Sequence, residues 1–415
     1  MKRYLPLLCL LAVSVLAGCA PRLLQPTEPP AVAVVAETMP PATAAPTEPV
    51  TEAPTQPAPT APPDYVTSLL RELTLRQKVG QLFIVHPDSL DPPPDPAEKC
   101  ATACTTAMIR AMENYPVGGI IMFAENIESP RQLKKFNTDL QACSEIPLFL
   151  CVDEEGGLVS RLANHKAFNL SKYKSVASVG KSGDPAKALE MGRTIGAYLK
   201  EYGFNVNFAP VADVNTNPKN TIIGTRAFSS KPETAGQMAS AMADGLREAG
   251  IIPTFKHFPG HGDTVEDSHD ALAVSRKTAA ELAACEWLPF ESATADDMIM
   301  VGHIALLNVL SDRTPASMSP EVVTGILKNQ LGFQGLVITD SLEMGAITDL
   351  YTSDKAALGA VKAGCDLILM PANLEKAFDA LVNAYETGEL DTADLDATVE
   401  RILRFKERHG ILGIG

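Results

Sequence analysis

Apolar residues along the chain gather into short runs that recur at regular intervals. Eight stand out: LFIVH from Leu82, GGIIMF from Gly118, LFLCVDEE from Leu148, NVNFAPVADV from Asn205, PTFKHFPG from Pro253, DMIMVGH from Asp297, LVITDS from Leu336 and DLILMP from Asp366. Each reads as a strand. Longer stretches with helical periodicity separate them, such as PAKALEMGRTIGAYLKEYG before the fourth run and PETAGQMASAMADGLREAG before the fifth. Strand and helix alternating in this way predict a single (β/α)8 barrel of the TIM type, a closed parallel sheet with helices outside.

In such a barrel the reacting groups lie at the carboxyl ends of the strands. Polar residues of this chain cluster there: Asp153, Asp213, Lys256, His257, His303 and Asp340. For Asp213 and His303, capping a helix or pairing with a neighbour explains a polar strand end equally well. Asp153 and Asp340 follow directly on apolar residues, in CVDEE and VITD, where an unpaired charge is costly unless it has a task. The densest set is KHFPGHGDTVEDSH, Lys256 to His269, which holds three of the seven histidines. Pro259, Gly260 and Gly262 supply a sharply turned backbone on which side chains converge. Histidine is the usual near-neutral acid or base, so this composition points to chemistry, with a metal site and an ordinary polar loop as the alternatives. His261, inside PGHG, is expected only to brace the loop.

Composition divides the chain further. Residues 1–18 read as a secretory signal, with Lys2 and Arg3, an apolar run from Leu5 to Leu16, and then Leu16-Ala17-Gly18-Cys19. The last four resemble a bacterial lipobox, which implies cleavage before Cys19 and lipid attachment to its thiol. The apolar run is too short to span a bilayer. From Ala20 to Asp64 proline, alanine, threonine and glutamate dominate without one aromatic residue, so the segment cannot bury enough apolar surface to fold. Residues 19–64 are therefore expected to be the attachment cysteine and a disordered, extended tether. Residues 65–415 are expected to be the catalytic barrel.

The net charge of −15 and the lack of a basic run argue against nucleic acid or an anionic bilayer as a partner of the domain itself. Membrane contact is left to Cys19, and the expected protein is an extracytoplasmic monomer anchored to the bacterial cell membrane. Of the six cysteines in the folded part, Cys151 and Cys365 sit in apolar segments and read as small buried residues. Cys100 and Cys104, four apart, are paired, free or one helical face. The cysteines lie far from the histidine loop and form no CxxC pair, so neither a metal nor a cofactor is expected.

Four segments, KHFPGHGDTVEDSH, DEEGGLVSRL from Asp153, NFAPVADVNTNP with IGTRAFS from Ile223, and VITDSLEM, together closely resemble the family 3 glycoside hydrolases in their β-N-acetylglucosaminidase (β-hexosaminidase) branch. The likeness runs from about Leu73, in LTLRQKVGQLF, to the closing RILRFKERHGIL. It implies a retaining exo-hydrolase that removes terminal N-acetylglucosamine, expected to come from cell-wall muropeptides. By resemblance Asp340 is the nucleophile, and Asp267 with His269 forms the acid/base dyad. Asp153, Arg161, Arg226, Lys256 and His257 match positions that hold the hydroxyl groups of the terminal sugar. Such chemistry needs a carboxylate below the anomeric carbon and a proton donor near the leaving oxygen. A carboxylate two residues before an imidazole can orient it and favour its protonated form. The family usually has glutamine and arginine where this chain has Glu154 and Leu158, which predicts altered contacts just outside the main sugar pocket. The chain ends four residues after Ile411, so every catalytic group is expected to come from the barrel.

Other specificities of the family, a phosphorolytic N-acetylglucosaminidase or a β-glucosidase, are the alternatives within this class. A metal-dependent barrel hydrolase would begin with a closely spaced histidine pair after the first strand, where this chain has only His86. A lipid-anchored sugar-binding protein would share the leader and tether, but it calls for two open-sheet lobes and has no use for an Asp267/His269 pair.

Overall fold

The computed structural model describes residues 64–93, 100–264 and 272–413; the leader, Cys19 and the tether up to Pro63 lie outside them. The eight apolar runs form eight strands: β1 (Phe83–Val85), β2 (Gly119–Met122), β3 (Phe149–Val152), β4 (Val206–Asn207), β5 (Ile252–Phe258), β6 (Met298–Val301), β7 (Leu336–Thr339) and β8 (Ile368–Leu369). Each pairs with its neighbours in chain order, in the sequence β7-β6-β5-β4-β3-β2-β1-β8. β8 runs parallel to β1, with Phe83 opposite Ile368. The ring closes where Ile338 bridges Leu367 and the Thr339 amide donates to the Leu367 carbonyl at 3.1 Å. The result is the predicted (β/α)8 barrel. Every residue of β2, β3, β6 and β7 is buried, because side chains fill the barrel on one face and helices cover the other.

The helices form where the periodicity places them. Pro185–Glu201 starts on Asp184, whose Oδ1 accepts the Ala186 amide at 3.1 Å, with Pro185 at the first position. Its buried residues Ala188, Met191, Gly192, Ile195 and Leu199 share one face. That face packs on Pro232–Glu248 so closely that a Cβ on Gly192 would lie 2.1 Å from the Met242 carbonyl. The last helix, Thr392–Arg408, carries Lys406 beneath the barrel. There the Lys406 ammonium donates to Gln81 Oε1 at 2.8 Å and to the Gly118 carbonyl at 3.0 Å, just ahead of β1 and β2. This amino-terminal face anchors the barrel, and the carboxyl face is left to carry the site.

Two short additions sit on the carboxyl face. An antiparallel hairpin, Glu154–Gly156 with Val159–Ser160, follows β3. The segment Ala273–Ser275 pairs in parallel with Ile304–Leu306 beyond β6.

Candidate active site

The carboxyl ends of the strands surround a cavity of about 400 Å³. Asp153, Glu155, Arg161, Arg226, Lys256, His257 and Asp340 all line it, with Phe123, Phe208 and Met300 as apolar walls. Lys256 and His257 are consecutive on β5 and both reach the cavity, although successive residues of a regular strand face opposite ways. The β5–β6 ladder shifts register between Lys256 and Phe258, and this irregularity re-aims the side chains.

Charge is arranged in a chain around the wall. The buried Lys256 Nζ lies 2.6 Å from Asp153 Oδ1 and 2.8 Å from Glu155 Oε1. Burial alone would lower the Lys256 ammonium, but Asp153 and Glu155 outweigh it and hold it above the ordinary lysine value. Arg226 grips Glu155 through Nε at 2.8 Å and Nη2 at 2.7 Å. Burial would raise the Glu155 carboxyl, yet Arg226 and Lys256 pull it far below the usual carboxylate range. Arg161 reaches Asp153 at 3.6 Å and stacks over the Phe123 ring at 5.1 Å. Five side chains, Asp153, Glu155, Arg161, Arg226 and Lys256, therefore line the cavity with donors and acceptors already oriented.

His257 is held from behind. Its Nδ1 lies 2.7 Å from Asp213 Oδ2, and its backbone amide donates to the same oxygen at 3.2 Å. Burial would raise Asp213, but His257 and His261 bring it below the ordinary aspartate value. An ionised Asp213 only accepts, so Nδ1 carries the hydrogen and Nε2, 3.5 Å from Arg226 Nη2, is the atom turned toward the wall. Asp213 Oδ1 also accepts the His261 amide at 2.6 Å. His261 itself is buried, with Nδ1 2.7 Å from Thr264 Oγ1 and its carbonyl taken by Asn220 at 2.7 Å. These are the contacts of a loop brace, and burial lowers its imidazole below the usual value. Gly262 passes so near β4's exit that a Cβ would lie 1.9 Å from the Val214 carbonyl.

Asp340 follows β7 directly. Its amide donates to the Val301 carbonyl at 2.9 Å, and its Oδ1 accepts the Ser341 amide at 2.8 Å. Burial opposes its charge, but His257, His303 and that amide more than offset it, and the carboxyl is held below the ordinary value. His303 Nε2 lies 2.8 Å from the Ser341 carbonyl, which can only accept, so Nε2 carries a hydrogen, and Nδ1 lies 2.8 Å from Ser317 Oγ. His303 thus fixes the turn that presents Asp340.

The structure brings together Asp340, Asp153, Arg161, Arg226, Lys256 and His257. Asp267 and His269 lie outside the described residues. Glu154 and Leu158 both belong to the hairpin after β3, outside the lining of the cavity. Glu154, the first residue of the hairpin, is buried and accepts the Leu162 amide at 2.8 Å, the Ala163 amide at 3.0 Å and the Tyr198 hydroxyl at 2.8 Å. Leu158 is 74% exposed. Glu155 was missed, though a signal for it exists: in an extended segment residues two apart share a face, so Glu155 follows Asp153 inward while Glu154 turns away. Cys104 does not meet Cys100; its Sγ lies 3.7 Å from that of Cys143, while Cys151 and Cys365 are buried as expected.

Comparison with known proteins agrees with this geometry. The profile of the Glycosyl hydrolase family 3 N terminal domain matches residues 74–405. Beta-hexosaminidase A of Pseudoalteromonas piscicida is 33% identical over 376 residues, which cover 83% of this chain and 63% of that protein. Beta-hexosaminidase of Methylobacillus flagellatus is 33% identical over 290 residues, 68% of this chain and 81% of the relative. The structure of a family 3 β-N-acetylglucosaminidase from Paenibacillus sp. str. FPU-7 superposes with a TM-score of 0.76 at 35% identity, over 83% of this chain and 64% of that one. The chain thus spans less than two thirds of the Pseudoalteromonas and Paenibacillus proteins. With a matching barrel, an acid at the exit of β7 and charged side chains converging from β3 and β5, the chain belongs to glycosyl hydrolase family 3.

Proposed function

We propose that the protein is an exo-acting, retaining β-N-acetylglucosaminidase that removes terminal N-acetylglucosamine, with peptidoglycan fragments as its natural substrates. The observation that carries this reading is the ionised Asp340 facing the same cavity as the Lys256–Asp153 and Arg226–Glu155 pairs. The cavity is at the small end of ligand sites, which suits a single terminal sugar. Its paired charges discriminate hydroxyl stereochemistry through charge-assisted hydrogen bonds. The relatives named beta-hexosaminidase supply the sugar class.

In this mechanism Asp340 attacks the anomeric carbon while His269, oriented by Asp267, gives its proton to the departing oxygen. The neutral His269 then takes a proton from water, whose oxygen displaces Asp340 and releases the sugar with its configuration retained. Asp153, Arg161, Arg226, Lys256 and His257 hold the hydroxyl groups. Proton magnetic resonance of the first product formed from an aryl N-acetyl-β-glucosaminide tests the reading. The β-anomer is expected, with little turnover of the corresponding β-glucoside; an α-anomer or a preference for glucoside overturns it.

The same proposal places the barrel outside the cytoplasm, as a monomer tethered through lipid on Cys19. No helix among the described residues is long and apolar enough to cross a membrane. Cys19→Ala should abolish lipid labelling and release active enzyme into the soluble exported fraction. A variant that stays in the membrane without lipid refutes the anchor.

A further inference from the structure

A second group of reactive side chains gathers beside the exit of β1, away from the sugar-holding residues. His86 follows β1, Asp88 lies in the 3-10 turn Pro87–Ser89, and Cys100 comes from a later part of the chain. One ligand atom from each, an imidazole nitrogen, a carboxylate oxygen and a thiol sulfur, lies within 4.8 Å of the other two. His86 Nδ1 and Asp88 Oδ2 are 3.5 Å apart. Two such atoms bound to one zinc ion at about 2.0–2.1 Å, at a tetrahedral angle, stand roughly 3.4 Å apart. This pair is therefore already at the separation an ion requires, and the sulfur closes in by about an ångström or less.

The imidazole is also held as a ligand needs to be. Asn126 Oδ1 accepts the Phe123 amide at 2.9 Å, and Asn126 Nδ2 donates to the Ala101 carbonyl at 2.9 Å, which settles the orientation of its carboxamide. The same Oδ1 lies 2.9 Å from His86 Nε2. That nitrogen must then carry the hydrogen, and Nδ1 keeps its lone pair toward Asp88 and Cys100. A metal-binding histidine whose other ring N–H is fixed by an oxygen acceptor is the usual outer-shell arrangement. Asp88 is similarly set: Oδ1 accepts the Ala101 amide at 2.8 Å, which leaves Oδ2 facing His86. An ion would replace the 3.3 Å contact of the Asp88 amide with Nδ1 and the hydrogen bond between the Cys100 thiol and the Asp88 carboxylate.

We propose that His86, Asp88 and Cys100 form a binding site for one zinc-class divalent cation. A nitrogen, a thiolate and one carboxylate favour zinc or cobalt over magnesium or calcium, which take oxygen ligands. On binding, the S–H bond of Cys100 breaks, its proton goes to solvent, and the sulfur's electron pair forms the bond to the metal. The thiolate and the Asp88 carboxylate together balance the ion's two charges. All three residues are half-buried, so a fourth position is open to water. His86 and Asp88 also line a cavity of about 500 Å³ that shares Glu343 with the sugar cavity. The ion ties His86 and Asp88, at the exit of β1, to Cys100.

The test uses the full chain, stripped with a chelator and titrated with cobalt(II). One equivalent should bind with a thiolate-to-cobalt charge-transfer band, and zinc should displace it. Cys100→Ser should remove the band, His86→Ala should weaken binding at least tenfold, and Cys104→Ser should leave the band in place. Zinc should also protect Cys100, and not Cys285, from alkylation in the unmodified chain, as read by peptide mass; this arm needs no variant to fold. Absence of stoichiometric binding, a band that survives Cys100→Ser or vanishes in Cys104→Ser, or Cys100 alkylated equally with and without zinc, overturns the proposal.

Discussion

Arg226 and Glu155 are locked together by two parallel hydrogen bonds of 2.8 and 2.7 Å, deep in the wall of the sugar cavity. Lys256 leans on the same carboxylate at 2.8 Å. One acid thus holds two cations whose hydrogen-bond donors define the cavity's polarity. Glu155→Gln keeps the shape but leaves two buried cations with one negative neighbour fewer. Breaking a buried ion pair costs about 3–5 kcal/mol, so the midpoint of denaturant unfolding should fall clearly. A lost charge-assisted hydrogen bond to the sugar is worth about 1.5–3 kcal/mol, so kcat/KM should fall roughly 10- to 150-fold, mostly through KM. A variant with normal stability and normal KM would show that Glu155 organises nothing.

Asp340 should become covalently attached to the sugar. A 2-acetamido sugar carrying a ring-destabilising fluorine is expected to accumulate as a glycosyl-enzyme, with the label on the peptide containing Asp340. Because its carboxyl is held below the ordinary aspartate value, the nucleophile stays ionised, and the acid limb set by it should lie below that value. A stalled enzyme with unlabelled Asp340, or a label on Asp153 or Asp213, removes it from the role.

His269 and Asp267 are tested by leaving-group dependence. A good phenolate departs without a proton and an alcohol does not, so His269→Ala should lose far more activity on natural disaccharides than on activated aryl glycosides. Asp267→Ala should show a milder form of the same bias. Equal losses on both substrates would take His269 out of the donor role.

Asp213 reaches the reaction only through His257 and the loop. Asp213→Asn can present an N–H to His257 Nδ1, which would move the ring hydrogen to Nε2 and reverse the polarity of the atom near Arg226. KM should rise about tenfold or more while the response to leaving-group quality stays as in the unmodified enzyme. A changed leaving-group dependence would mean that Asp213 belongs to proton transfer instead.

The fold was legible because a parallel barrel buries both faces of its strands, so most strands appear as largely apolar runs, and those leading to His86, Asp153 and Asp340 end in a polar residue. Lys256, His257, Asp153 and Asp340 could be placed from that punctuation alone. Arg161 and Arg226 lie in connecting segments, where nothing periodic marks them, and only the family likeness picked them out. Glu154 and Glu155 differ by one position, and the hairpin after β3 decides which of them turns inward. The approach of Cys100 to His86, or of Cys104 to Cys143, depends on how the segment between β1 and β2 folds back, and spacing along the chain carries no trace of it.

Lys406 gives a stability prediction with a defined sign. Burial beneath the barrel lowers its ammonium from 10.5 to about 7, with the neighbouring Cys151 opposing weakly. Between those two values the unfolded chain binds a proton that the folded chain does not, so folded stability rises with pH across that window and is lost as pH falls through it. Each pH unit inside the window is worth about 1.4 kcal/mol. Lys406→Met removes the titration and leaves Gln81 Oε1 and the Gly118 carbonyl without a donor, a penalty that does not depend on pH. Denaturant unfolding of both proteins at pH 7.5 and pH 9.5 isolates the effect, since all other groups titrate in common. The unmodified protein should gain about 2–3 kcal/mol on the variant over those two units. A difference that stays constant with pH would mean that Lys406 is charged where it lies, with Gln81, Gly118 and the Phe149 ring, 4.7 Å away, sufficient to hold the ammonium.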